Sequence, residues 1–302
     1  MQAEAEAKFL SFGATFLDAF ETIETANAEV RPILDPRRLS ITMITFVAQL
    51  SEPIPPQVLR TVLQEISEGG GYFVAANDKS LVDGAKAIML RDTHTAATTQ
   101  LFHSGQVQIA GCASHIEFAA AIEELIDLLR QYPGLEDIEL NTFDTQLINS
   151  NAGLGKRVKI GDLTGGKKFV DLLNDALHPL EERRRAEKRE NYAPITIVQP
   201  SAREGCKVTC QLFATGSLQI SGPLPQDIGN TYAFILRFLH HHRSLVLVEH
   251  DGKDRTEETR KNFRCWTHLV QSLPCLCHSH LPVRRLVQGC QYCELFGNTF
   301  FA

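Results

Sequence analysis

The chain has 302 residues, 43% apolar and 22% charged, which is enough apolar material for a buried core and more length than one typical domain uses. No apolar run reaches bilayer-spanning length, and the opening Met1-Gln2-Ala3-Glu4-Ala5-Glu6 lacks the regions of a signal peptide, so a soluble intracellular protein is expected. The net charge of −6 hides an asymmetry: residues 1–150 carry 9 Lys and Arg against 21 Asp and Glu, and residues 151–302 carry 21 against 15. A uniformly basic nucleic-acid coat is excluded, and any polyanion contact belongs with the second half.

From Ala3 to about Val30, Phe9, Leu10, Phe16, Leu17 and Phe20 recur at helical spacing, predicting an amphipathic helix that Pro32 and Pro36 end. Leu39 to Leu50 is rich in Ile, Thr, Val and Phe and reads as a strand. Pro53 to Pro56 then lead into a helix carrying Val58, Leu59, Val62, Leu63 and Ile66, broken at Gly69-Gly70-Gly71. Lys86 to Arg91 reads as a short strand. Thr95 to His103 and Gln106 to Ala110 flank Ser104-Gly105 as a hairpin. A long helix with Phe118, Ile122, Leu125 and Leu129 on one face follows and stops at Tyr132-Pro133-Gly134.

The same order then recurs: a strand at Ile138 to Ile148, a helix near Asp162 to Leu177, a strand at Pro194 to Gln199, a hairpin around Thr215-Gly216, and a helix from about Gln226 to His241. Between them the basic run Glu181 to Glu190, with Arg183-Arg184-Arg185, reads either as a solvated helix end or as a functional basic patch. His240-His241-His242, at the end of an apolar helix, suits carbonyl capping and the helix dipole better than a metal.

The recurrence is literal at the hairpins. Gln100 to Gly111 and Gln211 to Gly222 are identical at seven of twelve positions, 111 residues apart. Both copies sit between a short strand and a long helix, which makes internal duplication the simplest account. Strand alternation puts Leu101, Val107, Ile109, Leu212, Leu218 and Ile220 under the helices. Gln100, Phe102 and Gln108, with Gln211, Phe213 and Gln219, then share the opposite, open face. An apolar wedge beside amides is what minor-groove binders use to unstack base steps and read edges. The alternative is an ordinary core position for both Phe residues, with the pattern shifted by a bulge.

The run Lys86 to Asp92, the hairpin Gln100 to Gly111 and the long helix after it resemble the strand-hairpin-helix repeat of the TATA-box-binding protein family, and the second copy resembles that family's second repeat. The resemblance covers about residues 37–245. With Gln108 and Gln219 in place of apolar groove-lining residues, it looks more like the divergent factors of large nucleocytoplasmic DNA viruses than like the cellular protein. It implies an α+β fold: a pseudo-two-fold saddle, with a curved antiparallel sheet and helices on its convex side. The implied segments are an N-terminal helix extension (1–36), a first repeat (37–135), a second repeat (136–249) and a Cys/His-rich C-terminal tail (250–302). Carried over by position, it implies that Phe102 and Phe213 are one kinking phenylalanine per half. Tyr192 stands near the second-half position of the other, whereas the first-half position near Gly84 has no aromatic. The family's paired central asparagines fall near Thr42 and near Asn141 or Thr142.

The tail holds Cys265, Cys275, Cys277, His278, His280, Cys290 and Cys293. Without an export signal, thiols or a metal fit better than disulfides. Cys275, Cys277, Cys290 and Cys293 form the most economical tetrahedral zinc set, with His278 or His280 as substitutes; the alternative is free thiols in a docked tail. Arg284-Arg285 either touches phosphate or solvates the surface, and the aromatic end Leu295 to Phe301 packs on the fold or on a partner.

Two functions follow as expectations. One is a DNA-binding transcription initiation factor, monomeric through its pseudo-symmetry, whose partners are double-stranded promoter DNA and RNA polymerase or a transcription factor IIB-like protein, without a membrane. It would act in the nucleus or a viral transcription compartment, with packaging in virions as a further expectation. The other is a protein-interaction module that keeps the fold and binds transcription machinery instead of DNA; the acidic first half favours it. An enzyme is not expected: there is no P-loop, His-Glu-x-x-His or nucleophile elbow.

Overall fold

A computed structural model describes residues 2–31, 33–34, 37–68, 73–75, 87–92, 97–163, 168–177, 185–188, 194–248 and 264–265. The fold is α+β. Its elements are α1 (Gln2–Val30), β1 (Arg37–Leu50), α2 (Pro56–Glu68), β2 (Phe73–Ala75), β3 (Ala87–Asp92), β4 (Thr98–Phe102), β5 (Gln106–Cys112) and α3 (His115–Leu129). There follow β6 (Leu140–Gly153), α4 (Phe169–Leu177), β7 (Arg185–Lys188), β8 (Ile195–Pro200), β9 (Lys207–Leu212), β10 (Ser217–Gly222), α5 (Pro225–His241), α6 (Arg243–Val246) and β11 (Arg264–Cys265). Among the described residues no helix is long and apolar enough to cross a membrane.

The chain divides into two compact units. Unit one is built on Met43–Gln146, and unit two on Ala14–Thr42 with Leu147–Thr267. Unit one is an antiparallel sheet in the order β2-β3-β4-β5-β1-β6, with α2 against β2 and β3 and α3 against β5. Unit two runs β6-β10-β9-β8-β7, with α5 against β9 and β10 and α4 against β7; β11 pairs with Ser40 and Ile41 of β1.

The core of unit one centres on Phe46, which stacks on Phe118 at 4.3 Å between ring centroids, with Phe143 5.1 Å from Phe118. In α3, Phe118, Ile122, Leu125 and Leu129 are buried as the helical period requires. Its start is a reciprocal cap: the Ser114 hydroxyl accepts from the Glu117 N–H at 3.1 Å, and the Glu117 carboxylate accepts from the Ala113 N–H at 2.8 Å. In unit two, α5 begins with Pro225 in place of a side-chain cap and buries Ile228, Tyr232, Ile235, Leu236 and Leu239. The α1 residues Phe16, Ala19, Ile23, Asn27 and Val30 are buried at three- and four-residue spacing. There α1 meets α5: a Cβ on Gly229 would lie 3.0 Å from the Ala19 carbonyl oxygen, the Tyr232 hydroxyl donates to Asn27 at 3.0 Å, and Arg237 forks onto Glu29 at 2.7 and 3.0 Å.

Two sequence expectations need correction, and one strand was not anticipated. The helix expected from near Asp162 begins only at Phe169, because Asp162 and Lys168 pair as an antiparallel bridge. The basic run is not a helix end where it is described: Arg185–Lys188 forms β7, paired with β8. Asn174 of α4 holds it by accepting from the Ala186 N–H at 2.7 Å and donating to the Ala186 carbonyl at 3.2 Å. The unanticipated strand, β2, carries no alternation from which a strand of three residues could be read. The His-rich end of α5 is a terminus, where the His242 N–H donates to the Phe238 carbonyl and the His242 ring lies 4.9 Å from that of Phe238.

Candidate nucleic-acid interface

The two hairpins are built by the same contacts. The Gly105 N–H bonds the Phe102 carbonyl at 3.0 Å, and the Gly216 N–H bonds the Phe213 carbonyl at 2.9 Å. Both glycines take positive φ, +78° and +82°, the conformation these turns require. Each turn is pinned to the end of a long strand: the Leu50 N–H donates to Gly105 and the Ile54 N–H to His103, while the Leu154 N–H donates to Gly216 and the Val158 N–H to Ala214. The hairpins repeat at 111 residues, but these long-strand anchors repeat at 104, a spacing that the hairpin match alone does not reveal.

The expected faces are present. Leu101, Val107, Ile109, Leu212, Leu218 and Ile220 are all buried at 0–1% exposure, beneath the helices. On the other face, direct cross-strand pairing sets Met89, Gln100, Gln108 and Val47 in one row of unit one. It sets Thr196, Gln211, Gln219 and Asn151 in the equivalent row of unit two. Gln100 faces Gln108, and Gln211 faces Gln219. Phe102 and Phe213, at the hairpin ends of β4 and β9, are half-buried, neither core nor fully exposed; Phe102 pairs with Ala87.

Hydrogen bonds orient several of these amides. Gln108 Nε2 donates to Gln146 Oε1 at 3.2 Å. In unit two, the Ser221 hydroxyl donates to Asn149 Oδ1 at 2.7 Å, and Thr42 and Ser40 donate to the carbonyls of Asn149 and Asn151. On the open faces of β3, β4, β5, β6, β8, β9 and β10, the charged residues are Arg91 and Asp144 in unit one and Lys207 in unit two.

Asn141 and Thr142 are both exposed at the start of β6, next to the buried Leu140, and Thr142 lies with Asp144 and Gln146 on the open face. At the 104-residue spacing, the counterpart of Thr42 is Gln146. Both long strands also change phase along their length. In β1 the buried positions pass from Leu39 and Ile41 to Ile44, Phe46, Ala48 and Leu50, and in β6 from Phe143 and Thr145 to Ile148, Ser150 and Ala152. The pairing of β1 with β5 shifts register between Ile44 and Thr45, the signature of a bulge. Gln146, Asn149 and Asn151 were therefore missed; the signal was the polar run Asn149-Ser150-Asn151 inside a strand.

Tyr192, the Gly84 position, the Gly69-Gly70-Gly71 break and the tail residues Cys275, Cys277, His278, His280, Cys290 and Cys293 lie outside the described residues. So do Arg284-Arg285 and the aromatic end. The described cysteines Cys112, Cys206 and Cys210 are free thiols, and burial pushes Cys112 and Cys210 up to about 12, so neither is a thiolate at neutral pH. Among the described residues no group of His, Cys, Asp or Glu is arranged to hold a metal ion.

No protein-family model matches the chain, and no curated protein matches it. Among solved structures, it is similar to Methanococcus jannaschii TBP, with a TM-score of 0.45 and 16% identity over 68% of this chain and 99% of that one.

Proposed function

We propose that the chain is a DNA-binding transcription initiation factor that engages duplex promoter DNA through the open faces of its two sheets. The observation that carries this reading is the doubled row of paired amides, each flanked by a hairpin phenylalanine held by the same turn and anchor bonds. Amides provide donors and acceptors for base edges in a minor groove, and a half-buried phenylalanine at the rim is placed to wedge a base step. Lys207, with the other basic residues of the second half, supplies phosphate contacts. The chain works as a monomer, since its duplication supplies both halves, and its protein partner is RNA polymerase or a transcription factor IIB-like protein. It acts where transcription starts, in a nucleus or a viral transcription compartment. The tail set Cys275, Cys277, Cys290 and Cys293 is the candidate zinc set, with free thiols as the alternative.

A gel-shift series against a promoter library, at rising salt and with and without a chelator, tests the reading. Salt-dependent duplex binding is expected. Phe102→Ala and Phe213→Ala should each weaken it about tenfold, the loss of roughly 1.4 kcal/mol of wedge contact. Indifference to the chelator would remove the zinc, and absence of duplex binding at low salt would remove the DNA function.

The net charge of −12 on residues 1–150 favours a second reading, a protein-interaction module on the same fold. In that case the two Phe→Ala variants keep their hold on the transcription machinery, and the wild-type protein binds no duplex.

A further inference from the structure

Resting on the proposed DNA-binding reading, the structure assigns the phosphodiester backbone of a duplex to a basic rim of unit two, Lys156, Arg157 and Lys159, beside the hairpin that carries Phe213. The rim is the stretch that leaves β6 and pins the turn. The Leu154 N–H donates to the Gly216 carbonyl and the Val158 N–H to the Ala214 carbonyl, both at 2.9 Å, so Lys156 and Arg157 lie across the turn that follows Phe213. The stretch is also tied to the chain at the end of α6. There the Lys159 N–H donates to the Val246 carbonyl at 2.8 Å, and the Val248 N–H donates to the Arg157 carbonyl at 3.1 Å.

These bonds fix the backbone and leave the side chains to solvent. Val158 and Ile160 alternate inward and are buried, whereas Arg157 and Lys159 alternate outward and are exposed. Two residues apart on an extended chain, the two cations leave one face at a spacing of about 7 Å. Among the described residues, no carboxylate pairs with Lys156, Arg157 or Lys159. Three like charges on one short stretch repel one another, and a polyanion laid along them relieves that repulsion. A row of cations on an open edge suits the successive phosphates of a backbone, contacts that position a duplex without reading its sequence.

The first copy of the repeat shows that the turn does not need these cations. In unit one the same anchors hold the hairpin, with the Leu50 N–H donating to Gly105 and the Ile54 N–H to His103. At the 104-residue spacing the inward positions correspond, Leu50 to Leu154 and Ile54 to Val158, and all four are buried. The outward positions do not: Glu52, Pro53 and Pro55 stand where unit two has Lys156, Arg157 and Lys159. Pinning the turn thus requires the buried residues and the backbone, and the three cations serve a contact at the surface.

The experiment measures binding of the full chain to two labelled duplexes of unrelated sequence by fluorescence anisotropy across a salt series. Each of Lys156→Ala, Arg157→Ala and Lys159→Ala is expected to lower the slope of log affinity against log salt by about 0.9, and the triple variant by about 2.7, on both duplexes alike. Arg237→Ala removes the same charge from α5 and should leave the slope as it is. The substituted side chains take no part in the turn bonds, and unchanged thermal unfolding confirms the fold. With wild-type binding present, a triple variant that keeps the wild-type slope overturns this inference alone. So does an equal drop in Arg237→Ala, which would make net charge the cause, or a loss confined to one duplex, which would place the cations at bases. A wild-type protein that binds neither duplex overturns the DNA-binding reading and the rim with it.

Discussion

A Cβ built on Gly216 would lie 1.9 Å from the Lys156 carbonyl oxygen, on a residue already at φ +82°. Neither the backbone angle nor the neighbouring loop can yield cheaply, so Gly216→Ala should cost about 3 kcal/mol or more of stability. Gly134 has nearly the same angle, φ +85°, but nothing within 4 Å of a Cβ. Gly134→Ala should therefore cost only about 1 kcal/mol. Urea midpoints of the two variants measure the difference, and equal losses would show that the packed turn contributes nothing beyond its angle. His115 is a second residue-scale case: burial at the start of α3 lowers its pKa from 6.5 to about 4. The unfolded chain binds this proton below pH 6.5 and the folded one does not. Its contribution is thus fully favourable above pH 6.5 and is lost as the pH falls toward 4, by roughly 3 kcal/mol in all. His115→Gln should flatten the pH dependence of Tm across that window relative to the wild type.

At the scale of elements, charge and packing divide the work. The Glu29–Arg237 fork between α1 and α5 is about half exposed and screened by solvent, so Glu29→Ala should leave the thermal unfolding temperature nearly unchanged. The Asn27–Tyr232 bond beside it is buried, and Tyr232→Phe leaves the Asn27 oxygen without its donor, at about 1–2 kcal/mol. Strand β7 depends on a neighbour in the same way. Its one placed apolar residue is Ala186, and Asn174 makes both bonds to its backbone. Asn174→Ala should release β7 before the rest of unit two unfolds. Limited proteolysis near Arg185 reads this, and unchanged cleavage would mean that pairing with β8 is sufficient.

On the scale of the whole molecule, the proposed duplex binding is expected to respond to salt through the basic second half. Each phosphate contact releases counterions, so log affinity falls with log salt by about 0.9 per contact on a duplex. Lys207 lies on the open face of unit two, at the start of β9. Lys207→Ala should lower that slope by about one and weaken all duplex sequences equally. A change of sequence preference in this variant would move Lys207 from the phosphates to the bases.

The sequence was sufficient for the elements whose order is local. The amphipathic helix from Gln2, the long strand to Leu50, both hairpins with their Gly turns, and the inward and outward sets of Gln-Leu-Phe follow from period and turn chemistry, which operate within a few residues. The duplication was legible at the hairpins for the same reason. Tertiary structure decided the rest. The charged stretch around Ala186 becomes a strand because β8 and Asn174 offer partners that composition cannot register. The phase changes in β1 and β6 bring Asn149 and Asn151 onto the open face, because one extra residue in a strand reverses every face beyond it. The bond from Gln108 Nε2 to Gln146 Oε1 joins residues 38 apart, and a bond across that separation has no local pattern to announce it.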